Sequence, residues 1–273
     1  MSSSMRGTVA AVVLAAMSML LLAACGSSQR QPEPPSPAQA AQQREPTPAK
    51  PEERARAHTE LGTGYYSIGQ YGVAIEELNE ALKADPNYVP ALNSLGLVYM
   101  ALKEDRKARA NFERGVRLAP NDSDVNNNYG LFLCDRKQEK ESLKYFVAAL
   151  KNPLYRNPGE TYVNAGICAR RAGDVAMAEE FIMKAIALRP DDPRALFALA
   201  DIQFNRGDFL TAKFNLTRYM QQVPNADSRA LWLGARIEQR LGNRAEVMSY
   251  GSQLRTRFPG APETQAYNSG QFE

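Results

Sequence analysis

A pair of residues, the first mostly apolar and the second small, recurs along the chain at Leu61-Gly62, Leu95-Gly96, Tyr129-Gly130, Ala165-Gly166, Leu199-Ala200 and Leu233-Gly234. The second residue advances by 34, 34, 36, 34 and 34 positions. In the first unit Leu61, Gly62 and Tyr65 share one face of a helix, and Ala74, Leu78 and Ala81 form the facing stripe of a second helix. Gly62 and Ala74 carry little or no side chain, so the two axes can approach closely while Tyr65 and Leu78 fill the space beside them. Gly69 supplies the turn between the helices, as Gly173 and Gly207 do later. Prolines 86, 120, 190, 224 and 259 close units, where a missing N–H stops a helix. At the same offsets the second unit reads Leu95, Gly96, Tyr99, Ala108, Phe112 and Pro120.

A 34-residue period of paired helices marks tetratricopeptide repeats. Six units are expected, at 55–88, 89–122, 123–158, 159–192, 193–226 and 227–260, followed by a C-terminal tail over 261–273. The third is longer by two residues, because the segment from Asn152 to Pro158 replaces the usual turn. The sixth carries an extra residue near Gly242 and has Gly251 where a bulky side chain is expected, which predicts loose packing there. The predicted fold is all-α, a right-handed superhelical solenoid whose inner surface is lined by the first helix of each unit, called helix A below.

The chain opens differently. Arg6 precedes a small and apolar run from Val9 to Ala24, which reads as a signal peptide over 1–24. That run is shorter than the ~20 residues a spanning helix needs. Leu22-Ala23-Ala24-Cys25 resembles the lipobox of bacterial lipoproteins, in which the cysteine receives diacylglyceryl and N-acyl lipid. Several acyl chains anchor stably, at ~0.8 kcal/mol per buried methylene. Gly26 rather than an aspartate follows, which implies delivery to the outer membrane. From Cys25 to Arg54 the sequence is rich in Pro, Gln, Ala and Ser and has no apolar period, so a disordered tether is expected.

Composition removes other classes. The chain is 44% hydrophobic and 23% charged, enough to bury a core along most of its length, and its net charge of +3 comes with no basic run, so nucleic acid is not expected as a partner. His58 is the sole histidine, and Cys25, Cys134 and Cys168 are the only cysteines. That inventory offers no metal-ligand spacing, cofactor motif or catalytic triad. No enzyme, metal, cofactor or small-molecule substrate is expected.

Units three and four carry more than the generic repeat. Asn126-Asn127-Asn128-Tyr129-Gly130-Leu131-Phe132-Leu133-Cys134, then Asn152-Pro153-Leu154-Tyr155, then Tyr162-Val163-Asn164-Ala165-Gly166-Ile167-Cys168-Ala169 resemble the PilW/PilF family of type IV pilus biogenesis and stability lipoproteins. The stretch from Tyr250 through Phe258-Pro259 to Thr264 is similar too, so the resemblance covers roughly 55–265. It implies an outer-membrane lipoprotein facing the periplasm that binds the pilus secretin and promotes its localisation and multimerisation. Leu131 departs from the family, which often has Trp there. A different reading is a repeat lipoprotein that recruits other cell-envelope proteins. A chaperone-docking clamp for a C-terminal carboxylate is disfavoured, because Asp124 stands among the positions such a clamp would use.

Inward offsets of helix A give an expected partner groove of Asn93, Leu97, Asn127, Leu131, Val163, Ile167, Phe197 and Phe204. An apolar row with amides at its edge suits an extended or helical partner segment. The alternative is that Leu97, Leu131 and Ile167 pack between neighbouring A helices. Cys134 and Cys168 lie in A helices of adjacent units at offsets differing by two, within reach of a disulfide in an oxidising periplasm once Cys25 is acylated. The alternative is a pair of buried thiols pointing apart.

Overall fold

A computed structural model describes residues 49–272, so the signal peptide, Cys25 and most of the tether lie outside the described residues. Thirteen helices and no strands are found among them. The pairs are α1 (Pro51–Ser67) with α2 (Tyr71–Ala84), α3 (Val89–Ala101) with α4 (Asp105–Leu118), and α5 (Ser123–Asp135) with α6 (Glu139–Ala149). They continue as α7 (Pro158–Arg171) with α8 (Val175–Leu188), α9 (Pro193–Arg206) with α10 (Phe209–Gln222), and α11 (Ser228–Arg240) with α12 (Arg244–Arg257), and α13 (Pro262–Asn268) closes the array. The chain is a tetratricopeptide-repeat solenoid, as its period requires.

In five of the six pairs the small residue is a glycine that seats a bulky side chain from the same unit. A Cβ on Gly62, Gly96, Gly130, Gly166 or Gly234 would overlap Leu78, Phe112, Phe146, Ile182 or Tyr250 respectively. Leu78, Phe112, Phe146 and Ile182 are fully buried, each stabilising the unit by ~1.5–3 kcal/mol. Every helix A brings its backbone close to the second helix of its unit and to helix A of the next unit, whereas among the described residues the backbones of consecutive second helices stand further apart and meet only through long side chains, as where the Tyr250 hydroxyl lies 3.7 Å from the Met220 sulfur. Close stacking on one side and splaying on the other bends the array, and the A helices therefore line its concave face.

Three expectations need correction. Helix α1 begins at Pro51 rather than 55, so residues 51–54, assigned to the tether, are helical. A proline costs no hydrogen bond in a first turn, and Glu52 and Glu53 complement the positive helix terminus. The tail contains α13, and the sixth unit is not loosely packed. Its extra turn residue does leave Gly251 at the bulky position, but Tyr250 fills the space over Gly234 and the ring of Tyr267 in α13 occupies the space over Gly251. Thr264 fixes α13 by donating its hydroxyl to the Phe258 carbonyl at 2.6 Å. The turns inside units use Gly69, Gly173, Gly207 and Gly242 at positive φ, but in units two and three Lys103 and Lys137 hold that conformation at φ 59°.

Candidate partner groove

The concave face divides into two chemically different halves. From unit two to unit five an amide ladder crosses the A helices. The Asn128 side-chain amide donates to Oδ1 of Asn93 at 3.1 Å. Asn127 accepts from the Thr161 hydroxyl at 3.0 Å and from the Asn164 amide at 3.2 Å, and Arg194 donates to Asn164. Such cross-unit bonds satisfy polar groups that helix stacking has removed from water.

Five of the eight expected groove residues keep an open side: Asn93, Leu97, Leu131, Ile167 and Phe197 are half-buried. Each of the four apolar ones also rests on the core, Leu131 beside the Cys134–Cys168 cluster and Phe197 against Tyr219 at 5.4 Å. The other three are corrected. Val163 is 1% exposed and belongs to the core between α7 and α9, Phe204 is 5% exposed beneath the Arg236 guanidinium, and Asn127 is 7% exposed because its amide is used within the ladder. Inward offset alone does not make a residue accessible, since the next helix A covers part of the same face.

Cys134 and Cys168 form a disulfide joining α5 to α7, with Cα atoms 5.9 Å apart. It lies beside the irregular joint, where α6 stops at Ala149 and the segment through Asn152–Pro158 carries the chain into α7. Tyr155 from that segment comes back to α7, where its hydroxyl lies 3.3 Å from the Thr161 hydroxyl oxygen.

The second half of the concave face was not expected. A cleft of about 380 Å³ is lined by Ile167, Arg170, Arg171, Arg194, Phe197 and Asp201 with Arg229, and a neighbouring cleft of about 270 Å³ shares Arg170, Phe197, Asp201 and Arg229 while adding Trp232, Arg236 and Glu263. The absence of a basic run in the sequence is thus offset by folding, because these arginines come from α7, α9 and α11. Burial and the nearby Arg236 charge lower the pKa of Arg170, and burial and Arg240 lower that of Arg236. A second missed feature is the open end of the array, where Ala57, Leu61, Gly64, Tyr65 and Ile68 line a shallow depression on α1. Among the described residues no earlier unit covers that face, and Leu61 and Ile68 are 52% and 66% exposed. Their helical spacing was visible in the sequence, and the signal was the lack of a preceding repeat.

His58 sits on α1 with Nδ1 2.8 Å from the Glu77 carboxylate on α2. Among the described residues no group of three His, Cys, Asp or Glu side chains converges to hold a metal, and no helix is long and apolar enough to cross a membrane.

Helix pairs, seams and concave face together define a tetratricopeptide-repeat protein. The family model for TPR repeats matches residues 62–103, and that for the tetratricopeptide repeat matches 89–122 and 159–192. The crystal structure of PilW, a widely conserved type IV pilus biogenesis factor, superimposes with a TM-score of 0.72 at 31% identity, covering 78% of this chain and 97% of that one. The type IV pilus assembly protein PilF of Pseudomonas aeruginosa is 26% identical over 218 residues, 80% of this chain and 86% of that protein. Its solved structure matches with a TM-score of 0.76 over 81% of this chain and 100% of that one. The chain belongs to the PilW/PilF family of tetratricopeptide-repeat proteins.

Proposed function

We propose that the protein is a type IV pilus biogenesis factor, an outer-membrane lipoprotein that binds the pilus secretin on its concave face and promotes the secretin's localisation and multimerisation. Likeness to PilF and PilW along about four-fifths of the chain carries the pilus reading. The half-open apolar row of Leu97, Leu131, Ile167 and Phe197 supports the binding role, since such a row beside amides fits a partner segment. The Leu22-Ala23-Ala24-Cys25 motif supports attachment to a membrane through lipid on Cys25.

The test is a Leu131→Asp, Ile167→Asp double substitution in cells that make the pilus. Secretin multimers should disappear while the helical circular dichroism of the purified variant stays unchanged. Intact multimers in a strain lacking the protein altogether would overturn the pilus reading and favour a scaffold that recruits other cell-envelope proteins. Cys25→Ser should release a folded protein from the outer-membrane fraction, and a variant that stays there without its partner would refute lipid anchoring.

A further inference from the structure

The arginine-lined cleft of units four to six is built differently from the amide ladder beside it. Five arginines, Arg170, Arg171, Arg194, Arg229 and Arg236, line it with two acids, Asp201 and Glu263, and two carboxylates outside the cleft also reach the arginines: Arg171 lies 3.7 Å from Asp135, and Asp227 pairs with Arg229. Asp201 is engaged by Arg170, and Arg229 turns to Asp227 of its own helix at 2.8 Å. Among the described residues Arg236 has no carboxylate partner. Its guanidinium lies 4.3 Å from the centre of the Phe204 ring, and its buried Nε finds no protein acceptor. A buried N–H donor left unused costs free energy unless water or a ligand supplies the acceptor, and the positive charge of the half-buried guanidinium favours an anionic one. Apolar surface lies alongside, from Ile167, Phe197 and Trp232.

We propose that this cleft binds an acidic peptide segment of a partner protein, one that alternates carboxylates with bulky apolar side chains. Guanidinium groups pair carboxylates with two parallel hydrogen bonds, and Phe197 and Trp232 receive the apolar residues between them. A flat bilayer is the wrong shape, because the cleft is recessed between three helices of the concave face. The assignment rests on the concave face being a partner groove, and not on that partner being a secretin.

Trp232 is the sole tryptophan of the chain and lines the cleft, so its emission reports occupancy. The full chain is titrated with a synthetic peptide rich in Glu, Leu and Phe and free of Trp, with the same peptide carrying Lys for Glu, with inorganic phosphate, and with phosphatidylglycerol vesicles. The acidic peptide should give a saturable shift that salt weakens, while the other three give none. Arg229→Gln with Arg236→Gln should weaken binding about tenfold or more. Asp201→Asn, which frees Arg170 and removes a competing acid, should tighten it, a result that mere loss of structure would not produce. Equal binding of the Lys peptide, equal response to phosphate or vesicles, or an Asp201→Asn variant that binds no tighter would overturn the proposal. Secretin multimers persisting without the protein would sink the pilus reading and leave this result standing.

Discussion

Reducing the Cys134–Cys168 disulfide should loosen the middle of the array more than any single surface substitution could. The bond closes a loop over a sequence separation of 34. By the chain-entropy relation, opening such a loop returns about 3.8 kcal/mol of freedom to the denatured state at 25 °C. Reduction leaves both sulfurs in place and both cysteines buried, so no cavity adds to the change. With a urea dependence of about 2–3 kcal/mol per molar, the transition that includes units three and four should move down by more than about 1 M. A repeat array can unfold in segments, so the readout is hydrogen exchange resolved by helix, recorded through the titration with and without reductant. Protection should fall in α5 to α7 and change little in α1 and α2. A Cys134→Ala, Cys168→Ala variant should have the lower midpoint already and ignore reductant. An unchanged midpoint on reduction, or two thiols reacting in unfolded, unreduced protein from an oxidising compartment, would refute the reasoning. The bond also ties α5, which carries Leu131, to α7, which carries Ile167, so reduction should weaken whatever binds across both.

Other consequences follow from single contacts. Gly96→Ala places a methyl group against the Phe112 ring, and overpacking of a buried seam should lower stability by about 1–3 kcal/mol in urea titration; no loss would mean the ring yields freely. Gly251→Leu fills the seat of Tyr267, so α13 should detach, its amides should exchange faster, and Trp232, whose ring lies 5.1 Å from Phe272, should change emission. Partial burial pushes the Asp227 carboxyl up, but the Ala230 N–H and Arg229 outweigh it and hold the pKa below the usual carboxylate range. The stability this contributes is present above the ordinary carboxylate pKa and is lost as pH falls through the lowered folded value. Asp227→Asn keeps a cap for α11 without the charge, so it should flatten the acid limb of a melting-temperature profile; an unchanged limb would show the charge to be irrelevant.

The sequence by itself determined the helix pairs, the seams and the family. Those features follow from local rules: a helical period selects a face, a glycine admits a neighbouring axis, and a proline ends an element, so Gly96 and Ala108 were legible as the close approach of two helices with Phe112 beside them, and the structure seats the Phe112 ring directly over Gly96. The cysteine pair was legible as a choice, and only the rotation of α5 against α7 settled it. Tertiary structure decided everything that depends on what the next unit places over a residue. Val163 and Phe197 share one repeat offset, yet Val163 is sealed against α9 while Phe197 stays half-open. Tyr267 reaches a glycine that its own sequence surroundings do not mark, and α13 exists because that seat offsets the entropy of ordering a short polar segment. The arginine cleft is the clearest case. Arg170, Arg194, Arg229 and Arg236 are dispersed among acidic and neutral neighbours along the chain, and only a solenoid that stacks helices A side by side turns that spacing into one concentrated positive surface.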